Sequence, residues 1–392
     1  MTILKNSVLG IQFENPFLLA SAPPTANIKS IDLAFEKGWG GAVLKTITPD
    51  NLEMIEASPT YATFKDGHKI YGFENIELLS HLTVKEWLAG IRFLKKKHPT
   101  KIIIASIMAP VQKEKWQKLV KTFNQSPCDA FELNFSCPHG MPEKGIGMAI
   151  GTDAEISAQI TRWVTEVAKK PVFVKLSPNV TNIVEIAKAV EKAGADGIAA
   201  INTVQSMMGV DLDTFVPYPS VNGKSTFGGY SGRAIKPIGL RCVAQIRQAS
   251  KLPILGSGGI STWQDAAEYI ALGADVVQIC TEVMINGYGI IDSLKTGLAD
   301  YLKAKKLNGP KALKNKAIPQ LSSHEKLSKK KKVHPTVDKA LCCQCGKCVK
   351  ICQESKQGCL TLVKGRIKLN KKCCVGCSLC SIVCPQKAIR MK

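Results

Sequence analysis

Short apolar runs alternate with longer amphipathic stretches along the first 306 residues of the chain. The apolar runs contain four to six residues with little polar alternation, which is typical of strands buried on both faces of a parallel sheet. Eight such runs are present, and the predicted strands are Phe17–Ala20, Ala42–Lys45, Ile102–Ile107, Ala130–Asn134, Val172–Leu176, Gly197–Asn202, Pro253–Ser257 and Val276–Ile279.

The stretches between these runs place apolar residues every three or four positions, as along one face of a helix. The predicted helices are Ile28–Lys37, Thr83–Lys97, Lys113–Asn124, Asp153–Lys169, Ile183–Ala193, Ile235–Ala249, Thr262–Leu272 and about Ile290–Lys306. Eight strand–helix repeats predict a closed (β/α)8 barrel over residues 1–306. The alternative is a doubly wound open sheet. Its G-x-G-x-x-G fingerprint is missing after the first strand, where residues 20–24 are Ala-Ser-Ala-Pro-Pro.

Cysteine spacing indicates a second unit near the end of the chain. Residues 342–392 carry eleven of the fifteen cysteines, and eight of these form two copies of C-x2-C-x2-C-x3-C. In this spacing three thiolates hold one [4Fe–4S] cluster while the fourth ligates the neighbouring cluster. The predicted ligand sets are Cys342, Cys345, Cys348 and Cys384 for one cluster, and Cys374, Cys377, Cys380 and Cys352 for the other. We expect a ferredoxin-like α+β domain with two [4Fe–4S] clusters over residues 336–392.

Zinc and disulfides are the alternative uses of these cysteines. Structural zinc sites usually separate two C-x2-C pairs by a dozen or more residues, whereas a third cysteine follows here within three. Disulfides need an oxidising compartment, but residues 1–5 do not resemble the start of a signal peptide. No apolar run is long enough to span a bilayer, and we expect a cytoplasmic protein. Cys343, Cys359 and Cys373 have no assigned role.

Positive charge is concentrated in the same region. The chain has a formal net charge of +22, and residues 321–392 hold 17 Lys and Arg against three Asp and Glu. Residues 307–335 form a lysine-rich stretch that we expect to be an extended linker. Nucleic-acid binding is the alternative interpretation, but aromatic residues for base stacking are almost absent there. The excess charge instead offsets the cluster thiolates and favours an acidic protein partner.

Barrel enzymes act at the carboxyl ends of their strands, so the polar residues that end the predicted strands are the candidate site. These are Lys45, Asn134, Lys175, Asn202, Thr203, the segment Gly256–Gly259, Cys280 and Thr281. The segments after the seventh and eighth strands occupy the usual phosphate position of such barrels. Two lysines facing one barrel mouth indicate an anionic ligand between them, and FMN supplies both a phosphate and a ring that becomes negative on reduction. Structural ion pairs of Lys45 and Lys175 are the alternative.

Three segments resemble a known family. The segment Glu132–Met141 (ELNFSCPHGM), the segment Lys175–Thr181 (KLSPNVT) and the Asn-Thr-Val of residues 202–204 resemble the flavin barrel of the dihydropyrimidine dehydrogenases. The cysteine-rich tail resembles the carboxyl-terminal ferredoxin-like domain of the same family, so the resemblance covers nearly the whole chain. Dihydroorotate dehydrogenases share the barrel, but they typically have Asn where this chain has His139, and they lack the tail.

The resemblance implies a role for particular residues. Cys137 is the implied general acid, protonating pyrimidine C5 while flavin N5 delivers hydride to C6. The implied pyrimidine-binding residues are Asn75, Asn134, Asn202 and Thr203, and the side-chain amides of the three asparagines suit a ring with imide-like edges. The implied FMN contacts are Ala20, Ser21, Lys45, Lys175, Ser231, Gly232, Gly258, Gly259, Cys280 and Thr281. His139 is left unassigned.

Cys137 has a plainer interpretation as a buried packing residue. Its position just after a strand, before a loop with Gly140, Gly145, Gly147 and Gly151, favours a catalytic thiol under a closing lid. A nucleophilic role would need an oriented histidine base, and His139 is poorly placed for it on sequence grounds.

The resemblance therefore predicts an enzyme that reduces uracil and thymine to their 5,6-dihydro forms. Longer animal members of the family carry FAD and NADPH domains ahead of the barrel, and nothing in this chain resembles them. Electrons should then arrive through the two clusters from a separate NADH-oxidising, FAD-containing iron–sulfur subunit. The alternatives are a dihydroorotate dehydrogenase-like FMN enzyme with a fused ferredoxin, and an electron-transfer protein without a substrate of its own.

Overall fold

The computed structural model describes residues 2–50, 56–135, 147–329, 332–355 and 357–392. The chain divides into two compact units, Met1–Gln320 and Leu321–Lys392. No helix in these ranges is both long enough and apolar enough to cross a membrane.

The first unit is built on a closed barrel of eight parallel strands that neighbour one another in chain order, the last pairing with the first. The strands are Phe17–Leu19, Gly41–Val43, Ile102–Ile107, Ala130–Asn134, Val172–Leu176, Gly197–Ala200, Ile254–Ser257 and Val276–Ile279. We refer to them as the first to eighth barrel strands. The predicted (β/α)8 architecture is confirmed, and the strand bounds differ from the prediction only at their ends.

Eight helices cover the barrel. They are Ile28–Lys37, Val84–Lys97, Lys113–Asn124, Ala154–Thr165, Ile183–Lys192, Lys236–Ala249, Trp263–Ala271 and Ile290–Ala304, with short helices at Met148–Gly151, Thr281–Asn286 and Pro310–Leu313. Side-chain caps set several starts: Asn27 accepts from Ser30 N–H, and Thr83 and Glu86 form a reciprocal capping box. Each cap satisfies amides that a helix start otherwise leaves unpaired.

Alternation along the strands divides the barrel interior into two layers. One layer is apolar and contains Val43, Ile104, Phe173, Leu255 and Val276 among its members. Two positions further along the same strands, where side chains again point inward, the residues become Lys45, Ser106, Lys175, Ser257 and Gln278, and all of these are buried. The period of two thus stacks a polar layer on an apolar one, towards the carboxyl ends of the strands.

Two small sheets were not predicted. A hairpin of Asn6–Val8 and Ile11–Phe13 adds Val8 and Phe13 to the apolar interior layer. The second, which we call the mouth sheet, has four antiparallel strands in the order Val204–Ser206, Gly228–Gly232, Lys69–Asn75 and Tyr61–Asp66. Its strands come from the segments that follow the second and sixth barrel strands, so it lies at the carboxyl-end side of the barrel.

The boundary between the units corrects the predicted linker of residues 307–335. Residues up to Gln320 belong to the first unit. Leu313 is buried, Lys314 lies 2.5 Å from a carboxylate oxygen of Asp275, and Ala317 N–H donates to the carbonyl of Ala271. The lysine content of residues 307–320 suggested an extended, solvated segment. The buried side chain of Leu313 and the partners of Lys314 and Ala317 instead fix this segment against the first unit.

The second unit has an α+β core. Strand Pro335–Val337 pairs with Ile389–Met391, and Leu360–Val363 pairs with Arg366–Leu369, both antiparallel. The helices are Lys347–Glu354 and Leu379–Ile382. Their buried faces bring Cys348 and Cys380 into one cluster with Val349, Leu360 and Ile389. This arrangement fits the expected ferredoxin-like domain.

Candidate active site

A cleft opens at the carboxyl ends of the barrel strands, under the mouth sheet. It encloses about 1050 Å³ including its open mouth, which is the size of a cofactor site. The structure brings together in this cleft every sequence-predicted barrel residue that it describes: Ala20, Ser21, Lys45, Asn75, Asn134, Lys175, Asn202, Thr203, Ser231, Gly232, Gly258, Gly259, Cys280 and Thr281. Cys137 and His139 lie outside the described residues.

Lys175, from the fifth barrel strand, is the most enclosed cation of the cleft. Its ammonium donates to Gln278 Oε1 at 3.3 Å and lies 3.5 Å from Glu132 Oε1. The amide Nε2 of Gln278 donates to the other oxygen of Glu132 at 2.6 Å. A buried cation is costly unless it is paired, and this carboxylate provides the compensating charge.

Lys45, from the end of the second strand, is paired in the same way. Its ammonium lies 2.8 Å from Glu77 Oε2, which also accepts a 2.7 Å hydrogen bond from the Tyr61 hydroxyl. Burial, together with the neighbouring negative charge of Glu77, raises the pKa of Tyr61 well above its usual value. Lys45 and Lys175 therefore both line the cleft and make ion pairs. A structural ion pair and a role in binding an anionic ligand are compatible for each lysine.

A chain of hydroxyl groups orients Asn134. Its amide Nδ2 donates to Thr46 Oγ1 at 2.9 Å, and that hydroxyl also lies within hydrogen-bond distance of Ser106 Oγ and Ser21 Oγ. The amide oxygen of Asn134 faces Asn202 Nδ2 at 3.5 Å. The orientation of a side-chain amide is set by such partners, so one donor–acceptor pattern is presented to the cleft.

The other predicted pyrimidine-binding residues reach the cleft from the mouth sheet and from the segment after the sixth barrel strand. Asn75 ends a strand of the mouth sheet, and its Nδ2 donates to the carbonyl of Gly229 on the neighbouring strand. Thr203 follows the sixth barrel strand, where its N–H donates to Asn202 Oδ1 and its carbonyl accepts from Asn179 Nδ2. The four predicted pyrimidine-binding residues thus come from the mouth sheet and two barrel strands, and they meet in one cleft.

The segments after the seventh and eighth strands provide free backbone amides. Gly258 and Gly259 have φ of +118° and +71°, values that side chains disfavour. Within the described part of the chain, the N–H groups of Gly258, Gly259, Cys280 and Thr281 donate no hydrogen bond. The Thr281 hydroxyl donates to Ser231 Oγ at 2.8 Å, which links the mouth sheet to this end of the cleft. Converging free amides are the chemistry of an anion site.

Cys280 is a thiol rather than a thiolate at neutral pH. Burial raises its pKa to about 12, although Lys175 and Lys45 oppose that shift. Its Sγ lies 3.6 Å from the sulfur of Met284. We therefore interpret Cys280 as a packing and backbone-amide position at the cleft, not as a reactive nucleophile.

Several lining residues were missed by sequence reasoning. Thr46, Tyr61, Glu77 and Gln278 all line the cleft. Gln278 carried a signal, since it is a polar residue inside a buried strand, where an unpaired amide would be costly. Tyr61 carried none in the barrel pattern, because it lies on the mouth sheet.

The second unit holds two cysteine-lined cavities. One is lined by Cys374, Cys377, Cys380 and Cys352, together with Cys359. The other is lined by Cys342, Cys345, Cys348 and Cys384, together with Cys343. Each cavity therefore combines three thiols of one motif with the last thiol of the other. Among the described residues, no group of three or more His, Cys, Asp or Glu is arranged to hold a single metal ion.

Comparison with known proteins places this architecture among oxidoreductases. The dihydroorotate dehydrogenase family model matches residues 3–302. The chain is 38% identical to the chloroplastic dihydropyrimidine dehydrogenase (NADP(+)) of Arabidopsis thaliana over 341 residues, covering 84% of this chain and 80% of that protein. It is 37% identical to the NAD-dependent dihydropyrimidine dehydrogenase subunit PreA of Escherichia coli (strain K12) over 349 residues, covering 88% and 84%. The catalytic subunit of dihydroorotate dehydrogenase B (NAD(+)) of Pyrococcus abyssi is 37% identical over 301 residues, covering 77% and 94%.

Proposed function

The chain belongs to the dihydroorotate dehydrogenase family, and from that premise we propose that it reduces the C5=C6 bond of uracil and thymine. The observation that carries the proposal is the cleft: its amide residues, its two lysines and its free backbone amides come from seven separate segments and converge at the carboxyl ends of the barrel strands. The relatives named dihydropyrimidine dehydrogenase support this substrate class.

The cleft residues fit FMN. The free amides of Gly258, Gly259, Cys280 and Thr281 would hold its single phosphate, as backbone donors commonly do. A side chain at Gly259 would meet the carbonyl of Gly232 and the amide of Lys236 at 2.7 Å, so this loop packs as tightly as glycine permits. Lys175 would face the ring edge that becomes negative on reduction. When bound, FMN accepts electrons singly and releases them as a hydride, which suits a site fed by one-electron carriers.

The electrostatics of the cleft favour a neutral ring. Among the described residues that line it, the side-chain cations are Lys45 and Lys175, and each lies beside a carboxylate. Orotate differs from uracil by a carboxylate on C6, and each cation among the described lining residues already has a carboxylate beside it. The side-chain amides of Asn75, Asn134 and Asn202 suit the neutral edges of uracil or thymine.

Cys137 would supply the proton to C5. It lies outside the described residues, three positions beyond Asn134, the last residue of the fourth barrel strand. A thiol near the ring can protonate carbon as a general acid, while Asn134 and Asn202 hold the ring in place.

Electrons would reach the cleft through two [4Fe–4S] clusters held by the cysteine-lined cavities of the second unit. All described Lys and Arg residues from 321 to 392 are exposed, and only Lys350 makes an ion pair, with Glu354 at 3.8 Å. We infer a donor subunit with an acidic docking face, which oxidises NADH. The relative named as a subunit supports an assembly of this kind.

The test is anaerobic turnover of the isolated chain with a reduced viologen dye as an artificial electron donor. We expect dihydrouracil and dihydrothymine to form, acid-released flavin to be FMN, and NADH to remain unoxidised without a partner. Preferential reduction of orotate would support the dihydroorotate dehydrogenase alternative, and rapid oxidation of NADH would contradict the need for a donor subunit.

A further inference from the structure

Glu132 is a fully buried carboxylate below the floor of the cleft. It lies inside the fourth barrel strand, two positions before Asn134, and it has no exposed surface. Lys175 and Gln278 line the cleft, whereas Glu132 lies behind them. Its charge therefore acts on the cleft only through these neighbours or through space.

The three side chains form a closed set of contacts. Gln278 Nε2 donates to Glu132 Oε2 at 2.6 Å, which turns Gln278 Oε1 towards Lys175. Glu132 Oε1 accepts no hydrogen bond among the described residues, and its 3.5 Å separation from the ammonium of Lys175 is an ion-pair distance. The carboxylate thus fixes the orientation of the amide and supplies the charge opposite the lysine.

This arrangement leaves the Lys175 ammonium able to donate a hydrogen bond to a ligand in the cleft. An ammonium has three N–H donors. One donates to Gln278 Oε1, and the attraction of Glu132 holds the group from below at a longer distance. At least one donor remains for a ligand in the cleft. A tight bidentate pair would have used more of the donor capacity of the lysine.

We propose that Glu132, bridged by Gln278, is a positioning residue that fixes the Lys175 ammonium against the negative edge of the reduced flavin. This inference rests on the proposed function above. Glu132 itself touches neither flavin nor substrate. Its effect on the flavin therefore depends on the presence of Lys175.

The experiment is a double-mutant cycle of Glu132→Gln and Lys175→Met in the full chain. The measured quantity is the ratio of FMN affinities in the reduced and oxidised states, from anaerobic redox titration. We expect Glu132→Gln to lower the preference for reduced FMN about tenfold in the native background and by less than about twofold in the Lys175→Met background. A direct electrostatic action of Glu132 would instead raise the preference for reduced FMN by a similar factor in both backgrounds, because the substitution removes a negative charge, and that result would overturn the proposal.

Stability provides a second readout, because the effect of Glu132→Gln on the urea midpoint should have opposite signs in the two backgrounds. Glu132→Gln should lower the urea midpoint of the native chain, because it leaves Lys175 without its counter-charge. In the Lys175→Met background the same change should raise the midpoint, because it removes an unpaired buried carboxylate. A loss of similar size in both backgrounds would show that Glu132 is only a packing residue.

Glu74→Gln is the matched control. Glu74 is also fully buried, but its carboxylate accepts from the backbone N–H of Gly228 in the mouth sheet. Its substitution should lower stability without changing the flavin preference. If Glu132→Gln does not fold, Gln278→Leu tests the same bridge and should lower the preference for reduced FMN. Native chain that binds no FMN overturns the proposed function as well, whereas native FMN binding with an unaffected Glu132→Gln variant overturns this inference alone.

Discussion

At the scale of single residues, the cleft is organised by buried polar side chains with assigned partners. Thr46 accepts from Asn134 and contacts Ser106 and Ser21, so three hydroxyls fix one amide. Asn134 and Asn202 could be found from the sequence because they end predicted barrel strands, whereas Asn75 was implied only by the family resemblance. Thr46 and Glu77 could not, because their importance lies in contacts with residues far along the chain.

Thr46→Val should weaken pyrimidine binding without removing the cofactor. The valine keeps the volume but removes the Thr46 hydroxyl that accepts from Asn134 Nδ2, so the orientation of the amide is less fixed. We expect the KM for uracil to rise roughly tenfold with FMN content unchanged, as for the loss of one oriented hydrogen bond. Thr161→Val is the control, since that buried hydroxyl donates to the carbonyl of Ser157 inside a helix. An unchanged KM for uracil in Thr46→Val would show that the hydrogen bond from Asn134 to Thr46 does not contribute to pyrimidine binding.

Cys137→Ala should retain FMN and both clusters yet lose most pyrimidine turnover. Only the proton donor is removed, and general acid catalysis contributes about a hundred- to ten-thousand-fold. Reduction of the bound flavin through the clusters should stay normal, which is measured separately with the viologen donor. A variant with near-native turnover would assign Cys137 to packing.

At the scale of elements, the local hydrophobic pattern predicted the strands and helices of the barrel but not the mouth sheet. The eight strands were predictable because each is a short buried run, and an amphipathic helix follows it further along the chain. The hairpin Tyr61–Asp66 and Lys69–Asn75 carried a turn signal, Asp66-Gly67, that the barrel pattern obscured. The strand Gly228–Gly232 carried none, since it is mostly glycine. A side chain on the facing Gly72 would come within 2.0 Å of the Ser231 carbonyl, so close backbone contact selects glycine there.

Asp265 provides a pH-dependent test at the start of helix Trp263–Ala271. Although burial acts to raise the pKa of this carboxyl, hydrogen bonds from Lys236, Ser261 and Thr262 outweigh it and hold the pKa below its usual value. Stability from this group is therefore present above the unfolded-state pKa and is lost as the pH falls through the folded-state value. Asp265→Asn should lower the free energy of unfolding by about 1–2 kcal/mol at pH 7, as for loss of a helix cap.

The difference in free energy of unfolding between the Asp265→Asn variant and the native chain should shrink as the pH is lowered below about 4, near the usual carboxyl pKa. Urea unfolding at several pH values measures it. Glu86→Gln, at the exposed cap of helix Val84–Lys97, should show a smaller effect. A difference that is independent of pH would mean that the charge of Asp265 contributes nothing.

At the scale of the whole molecule, the chain joins a flavin-type cleft in one unit to cysteine-lined cavities in the other. The cysteine spacing predicted which thiols share a cavity, because the fourth cysteine of each motif lies about one turn beyond the third. Cys352 is on helix Lys347–Glu354, and Cys384 follows helix Leu379–Ile382. The extent of the first unit was not predictable from lysine content, since the segment before Gln320 is fixed by tertiary contacts.

Cys384→Ser should damage the cluster held by Cys342, Cys345 and Cys348, and Cys352→Ser the cluster held by Cys374, Cys377 and Cys380. The grouping of thiols in the two cavities is the reason. Low-temperature electron paramagnetic resonance of the reduced variants distinguishes the two clusters, and Cys343→Ser serves as the control. Loss of the cluster that shares a motif with the substituted cysteine would contradict the exchange of ligands.

The central claim is that this chain passes electrons from bound FMN to a neutral pyrimidine. The most direct measurement mixes the anaerobically reduced chain with uracil in a stopped-flow spectrophotometer and follows flavin reoxidation, with dihydrouracil quantified afterwards. The account predicts rapid reoxidation and one dihydrouracil for each pair of electrons lost, with orotate much slower. Flavin that stays reduced in the presence of uracil and thymine, but is reoxidised by orotate, would contradict it.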